Sequence, residues 1–218
     1  ENLSWDEFSK INNYLYELTG VKPVMTISRD YPFDDIYTHV LGYVSQPDED
    51  DILANKVIQE KFVPGIKIGK LGLEKTLEND LIGVNGIQRY EVNAYGKRIN
   101  HLEHQKGKPG SKIRITIDTE VQKLSAKLLA GKAGSISVMD IYTGEVIAMY
   151  SSPSYNPNSF LFGISQDEWQ LIRNNPLKPL INKTISGLYS PGSTIKPIVA
   201  LSALENGIID TKFKVKCE

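Results

Sequence analysis

The sequence predicts an α+β fold in two units, and three observations predict it. Helix-start signals recur. Ser4-Trp5-Asp6-Glu7 and Thr119-Glu120-Val121-Gln122 have capping-box spacing, and Ser165-Gln166-Asp167-Glu168 opens a third helix. Runs suited to strands fall in pairs around short turns, 87–94 with 97–104 and 134–140 with 145–150, which reads as two antiparallel hairpins. Between the two sets lies Gly107-Lys108-Pro109-Gly110-Ser111, the strongest loop signal in the chain. A boundary is therefore expected there, dividing the chain into 1–108 and 109–218.

Taken in order, the first helix should run from Ser4 through Leu18. Trp5, Phe8, Ile11, Leu15 and Leu18 would share one side, and Gly20 would stop it. Residues 21–28 are rich in β-branched side chains and read as strand, broken by Arg29-Asp30-Tyr31-Pro32. Residues 37–45 are ambiguous between helix and strand. The acidic run 48–51 sits where a helix would start and continue to about Lys61. It reads as a solvated helix end rather than a metal site. Residues 65–72 are punctuated by glycine without phosphate-loop spacing, and 73–82 looks helical. After the first hairpin, 112–117 reads as strand and 119–130 as helix. The second hairpin leads into a Pro/Asn/Gly loop at 151–164, a short helix to Arg173 and an irregular stretch to Ser190.

Composition excludes little. A net charge of -1 gives no overall reason to expect nucleic acid or an anionic membrane as partner. The basic residues of 98–112 lack interleaved aromatics and read as a solvated face. The lone Cys217 excludes an internal disulfide, and His39, His101 and His104 show no metal spacing. No run reaches transmembrane length and no signal peptide is seen. The start inside a helix signal and the stop at Lys216-Cys217-Glu218 suggest a piece of something longer.

The stretch that carries chemistry is Tyr189-Ser190-Pro191-Gly192-Ser193-Thr194-Ile195-Lys196-Pro197. Ser193 and Lys196 are three apart and share a helix face. Pro191 and Gly192 deliver Ser193 to a helix start. Pro197 fits only within the first turn, where its missing N–H costs little. The apolar residues from Ile198 to Leu204 continue the helix, and Gly207 is placed to end it. A serine hydroxyl needs an adjacent base to act as a nucleophile, and a lysine can be that base when neutral. A helix N-terminus favours the anion that develops. About one S-x-x-K is expected by chance in such a composition, so the residues alone leave two readings open: a catalytic Ser–Lys pair, or a capped core helix with an exposed lysine.

Several stretches in order resemble the class B penicillin-binding proteins of the elongation type. In the second half these are Ile115-Thr116-Ile117-Asp118 with Val121-Gln122, then 135–150 with Asp140, Thr143-Gly144 and Ile147-Ala148, then Ser152-Pro153-Ser154-Tyr155-Asn156-Pro157-Asn158, then 182–197. In the first half, Arg29-Asp30-Tyr31-Pro32, Thr38-His39-Val40-Leu41-Gly42-Tyr43-Val44 and Gly69-Lys70-Leu71-Gly72-Leu73-Glu74-Lys75 resemble the non-catalytic pedestal of that family. The resemblance implies a pedestal over 1–108 and the N-terminal part of a transpeptidase domain over 109–218. It implies Ser193 as the acylated nucleophile and Lys196 as its general base, with no cofactor and no metal. It further implies the D-Ala-D-Ala end of a peptidoglycan stem peptide as substrate and β-lactams as acylating inhibitors. A membrane glycan polymerase and elongation-complex proteins are the implied partners, with no nucleic acid. The implied location is extracytoplasmic, on an inner-membrane anchor that this chain does not include.

The family's S-x-N and K-[ST]-G motifs follow the serine, and neither follows Lys196 here, so this chain is expected to be inactive alone. Ser154-Tyr155-Asn156 has the S-x-N letters but lies upstream and reads as a loop. Cys217 reads as a plain thiol. Other readings are a non-catalytic module that docks and stimulates a polymerase, and a soluble β-lactamase or penicillin sensor, against which the pedestal-like 21–104 argues.

Overall fold

The computed structural model describes residues 3–21, 28–63, 65–95 and 98–214, and of Arg98 the backbone alone. The strand expected at 21–28 falls largely outside these residues, as does Cys217. Helix α1 (Trp5–Asn13) opens with the expected capping box: Ser4 accepts from the Glu7 N–H, and the Glu7 carboxylate accepts from the Ser4 N–H at 2.8 Å. It stops short of Leu18. Asn12 and Asn13 are weak helix formers, and no residue of α1 is buried, so nothing sustains a further turn. The ambiguous stretch 37–45 is both things in turn, a short helix α2 (Thr38–Leu41) and a short strand β1 (Val44–Ser45).

The helix expected over 49–61 is two, α3 (Glu49–Ala54) and α4 (Lys56–Lys61). Asn55 takes an extended conformation and caps α4 by accepting from the Val57 N–H at 2.9 Å. The acidic run does start α3, but Asp48 and Asp51 also converge on Lys70 from the loop after β2 (Ile68–Gly69). The helical stretch 73–82 is likewise divided, into α5 (Gly72–Thr76) and α6 (Glu78–Leu81). The first hairpin forms as expected, β3 (Ile87–Val92) against β4 (Arg98–Gln105). Helix α7 (Thr119–Leu128) takes its cap one residue earlier than expected. Asp118 is the cap, its carboxylate accepting from the N–H groups of Glu120 and Val121, each at 2.9 Å. The Thr119 hydroxyl is used elsewhere: it accepts from Tyr37 Oη at 2.9 Å.

The second hairpin also forms, β5 (Gly134–Met139) against β6 (Val146–Ser152). Residues 112–117 do not join it as a regular strand. They run beside β6 with isolated bonds, Thr116 Oγ1 to the Val146 carbonyl and the Asp118 N–H to Ile147. Helix α8 (Gln166–Arg173) is capped by Ser165, as expected, and α9 (Lys183–Ser186) is a single turn within the irregular stretch. Helix α10 (Lys196–Glu205) is the last helix among the described residues. The three sheets β1–β2, β3–β4 and β5–β6 are all two-stranded and antiparallel.

Contacts divide the chain into Glu1–Ile185 and Ser186–Glu218. In the first unit, residues 31–44 pack against the second half of the sequence. Tyr31, Val44 and Leu161 form a buried apolar cluster. Thr38, 1 % exposed, donates to the Tyr155 carbonyl at 2.7 Å. Asn158 bonds both the N–H and the carbonyl of Tyr31. Gln122, fully buried, donates through Nε2 to the Ile36 carbonyl at 2.9 Å and to Met149 at 3.0 Å, while its Oε1 accepts from the Met149 N–H at 2.9 Å. One amide thereby ties α7 to β6 and to the 34–36 turn. Close backbone packing joins β2 and α5 to the same body: a Cβ on Gly42, where φ is 80°, would lie 1.9 Å from the Leu71 carbonyl oxygen.

Gln122→Met keeps the volume but orphans three buried backbone groups. It should lower the stability of this unit by about 3 kcal/mol, each orphaned group costing roughly 1–3 kcal/mol before relaxation. Urea denaturation followed by circular dichroism measures it. A loss below about 0.5 kcal/mol, the scale of an ordinary surface substitution, would show that the amide does not carry this junction.

Candidate active site

The second unit, taken by itself, builds the S-x-x-K segment from a turn and a helix. Gly192 adopts φ 56°, a left-handed conformation that a glycine enters without steric cost. It turns the chain into a 3₁₀ turn over Gly192–Ile195 that continues directly into α10. The Lys196 N–H donates to the Ser193 carbonyl, an i→i+3 bond. In such a turn, side chains three apart eclipse one another, so Ser193 and Lys196 rise from one side of the segment. Pro197 occupies the first turn of α10, where it removes no intrahelical bond. Among the described residues no backbone hydrogen bond takes up the Ser193 N–H, and neither the Ser193 hydroxyl nor the Lys196 ammonium has a hydrogen-bond partner. The far end closes with a Schellman motif: Gly207 (φ 67°) donates to Leu204, and Ile208 to Ala203 at 2.9 Å.

The first unit holds a second concentration of polar groups, which the sequence reading did not single out. Glu74 is buried on α5. Its carboxylate receives Arg29 in a two-point contact, Nε at 2.9 Å and Nη2 at 3.0 Å, and Tyr31 Oη at 3.3 Å. Tyr31 Oη accepts in turn from the Val44 N–H at 3.1 Å. Glu78, also buried, accepts from the Gly69 N–H. Burial pushes the Glu78 carboxyl above the usual range, the Gly69 bond opposes this, and the neighbouring Glu74 adds to the rise. Burial and Glu74 together push the Tyr31 hydroxyl up as well, so it stays protonated and able to donate. The network holds 29–31, β1, β2 and α5 together, and its role is positional. The upstream Ser154-Tyr155-Asn156 is structural too. Tyr155 is buried, and Asn156 caps the 157–160 turn and donates to Asp34 at 3.2 Å.

Against known families, residues 1–115 match the penicillin-binding protein dimerisation domain. The chain belongs to the penicillin-binding protein family. Residues 134–218 match the penicillin-binding protein transpeptidase domain, so a dimerisation, or pedestal, portion is followed by part of a transpeptidase domain. The peptidoglycan D,D-transpeptidase MrdA of Acinetobacter baumannii is 35% identical over 210 residues, covering 96% of this chain and 31% of that protein. The MrdA protein of Escherichia coli K12 is 39% identical over 196 residues, 89% of this chain and 31% of that one. The chain thus spans about a third of the length of these curated relatives. Among solved structures, the complex between penicillin-binding protein (PBP2) and MreC from Helicobacter pylori aligns with a TM-score of 0.82 at 32% identity, covering 99% of this chain and 39% of that one. Pseudomonas aeruginosa PBP2 in complex with WCK 5153 aligns at 0.73 and 33% identity, over 89% of this chain and 39% of that one.

A left-handed residue before Ser193 is a requirement on the backbone, since nothing lies within 4 Å of a Cβ built on Gly192. Gly192→Ala should therefore strain the turn and lower the stability of the unit that contains it by about 1–2 kcal/mol, as urea denaturation measures. Gly192→Asn should lower it less, because asparagine tolerates this conformation. Equal stability for Gly192→Ala and wild type would show that the turn does not need it.

Proposed function

We propose that this chain is the front part of a serine D,D-transpeptidase that cross-links peptidoglycan stem peptides in cell-wall elongation. The observation that supports it is the S-x-x-K segment itself, set on a 3₁₀ turn that leads into α10 within the region matched by the transpeptidase family. In this reading Ser193 Oγ attacks the carbonyl between the two D-alanines of a stem peptide and passes its proton to Lys196 Nζ. The peptide C–N bond breaks, the proton goes to the leaving amine, and D-alanine departs. The acyl ester on Ser193 is resolved by the amine of a neighbouring stem, which restores the hydroxyl. The Ser193 N–H supplies one donor to the oxyanion. A β-lactam acylates the same oxygen and stays. The reading needs no cofactor and no metal.

The pedestal portion is assigned to 1–108 and the transpeptidase portion to 109–218, with the protein held at a membrane and working outside the cytoplasm. A docking role for the pedestal, toward a membrane glycan polymerase or elongation-complex proteins, can operate alongside catalysis. It is favoured by the β3–β4 hairpin, whose Ile99, Leu102 and Val92 are more than half exposed, and by the MreC complex of the Helicobacter pylori relative. The soluble β-lactamase or sensor reading has no such support.

Time-resolved mass spectrometry with a β-lactam tests the catalytic assignment. In the full-length protein Ser193→Ala should abolish labelling. Lys196→Ala should slow it by about 10²–10⁴-fold, the worth of a general base. Lys196→Arg should not rescue it, because guanidinium remains protonated. The 218-residue chain should label far more slowly than the full-length protein. Labelling of Ser193→Ala at another serine would overturn the nucleophile assignment.

A further inference from the structure

His39 is a half-buried titratable group that the chemistry above does not use. It lies in α2 between Thr38 and Val40, both buried. Tyr155, from the loop after β6, meets its ring edge-on at 5.7 Å, and Tyr43 lies beyond that ring at 6.2 Å from Tyr155. His39 Nε2 is buried without a hydrogen-bond partner. On the other side runs the segment 178–184. Asn182 Nδ2 donates to the His39 carbonyl at 3.2 Å, and the Asn182 side-chain oxygen accepts from the Thr184 N–H at 3.1 Å. Ser151, fully buried on β6, fastens the same segment twice, donating to the Ile181 carbonyl at 3.1 Å and accepting from the Lys183 N–H at 3.0 Å. Lys183 is the charged group acting on the imidazole among the described residues; no carboxylate there offsets it. The segment leads in sequence toward Ser193.

We propose that His39 is an acid-released latch, and that proton uptake on its ring opens the contact between α2 and the 178–184 segment. An imidazolium carries two N–H donors; the carbonyls of Pro153 and Pro179 act on the ring, but the buried Nε2 makes no hydrogen bond. The imidazolium would also place a second positive charge near Lys183, on a ring whose Nε2 is out of reach of water. Burial first, and then Lys183, hold the imidazole neutral down to about 4, while the carbonyls of Pro153 and Pro179 oppose this more weakly. Released, the ring returns to an ordinary pKa of about 6.5. The closed form is therefore favoured fully above that value, and the advantage is lost as pH falls from there through about 4. At pH 5 the linkage lowers the protection of the latched segment by roughly tenfold or more.

Hydrogen exchange followed by mass spectrometry tests this on the full-length protein, at pH 7.5 and pH 5.0, with rates corrected for intrinsic pH dependence. Peptides covering 178–186 should lose at least about tenfold in protection at pH 5.0, while those of α7 and β6 stay unchanged. His39→Gln, which cannot take up the proton, should abolish this selective loss. Lys183→Met leaves the histidine in place but removes the adjoining charge, and should shrink the loss while raising the His39 pKa read by NMR. Full protection of 178–186 in wild type at pH 5.0, or the same loss in wild type and Lys183→Met, would overturn the proposal. Penicillin labelling of Ser193 plays no part in this readout, so the latch and the catalytic assignment fail separately.

Discussion

The amide of Gln122 is the interaction on which the first unit depends. A primary amide offers donors and an acceptor in one plane, and here both sides are used, on Ile36 and on Met149 in both senses. Burying it without those partners would cost several kcal/mol. The 34–36 turn and the middle of β6 must therefore stand in one arrangement around α7, and the rest follows. Thr38 then reaches the Tyr155 carbonyl, Tyr37 reaches Thr119, and Asn158 closes on both backbone groups of Tyr31. These are mostly side-chain-to-backbone bonds, so they fix main-chain positions rather than side-chain preferences.

This junction changes how the division of labour is pictured. Residues 31–44 lie within the stretch matched by the dimerisation family, yet several of their buried partners are in 119–161. A partner acting on the pedestal portion would meet a body coupled to β6 and the following loop through buried polar bonds, not through a flexible linker. The Arg29–Glu74–Tyr31 network extends that body to β1, β2 and α5. The β3–β4 hairpin differs. It is exposed along most of its length and joins the body at its base, where Val84 and Lys108 exchange backbone bonds at 2.8 Å.

Local signals were legible where the chemistry is local. The Ser4 capping box, the Ser165 cap, both hairpins and the Gly207 stop depend on residues a few positions apart. Where a side chain had a distant partner, local reading failed. Thr119 looked like a cap, but its hydroxyl serves Tyr37, and Asp118 takes the cap instead. The continuous helices expected over 49–61 and 73–82 break because Asn55 bonds its own backbone neighbourhood and Glu78 turns inward to Gly69. The Ser193–Lys196 spacing could be read from sequence, including the need for Pro191 and Gly192 before it. Gln122, Asn158 and Glu74 could not, because a polar residue destined for burial looks like a surface residue until its partner is known.

Through these bonds, 31–44 folds as one cooperative body with α7 and β6. Native-state hydrogen exchange across a denaturant series measures it most directly. Amides in 31–44, α7 and β6 should open together, with one free energy and one denaturant dependence, while β3–β4 opens earlier. Opening of 31–44 with β3–β4, at a lower free energy than α7 and β6, would contradict it.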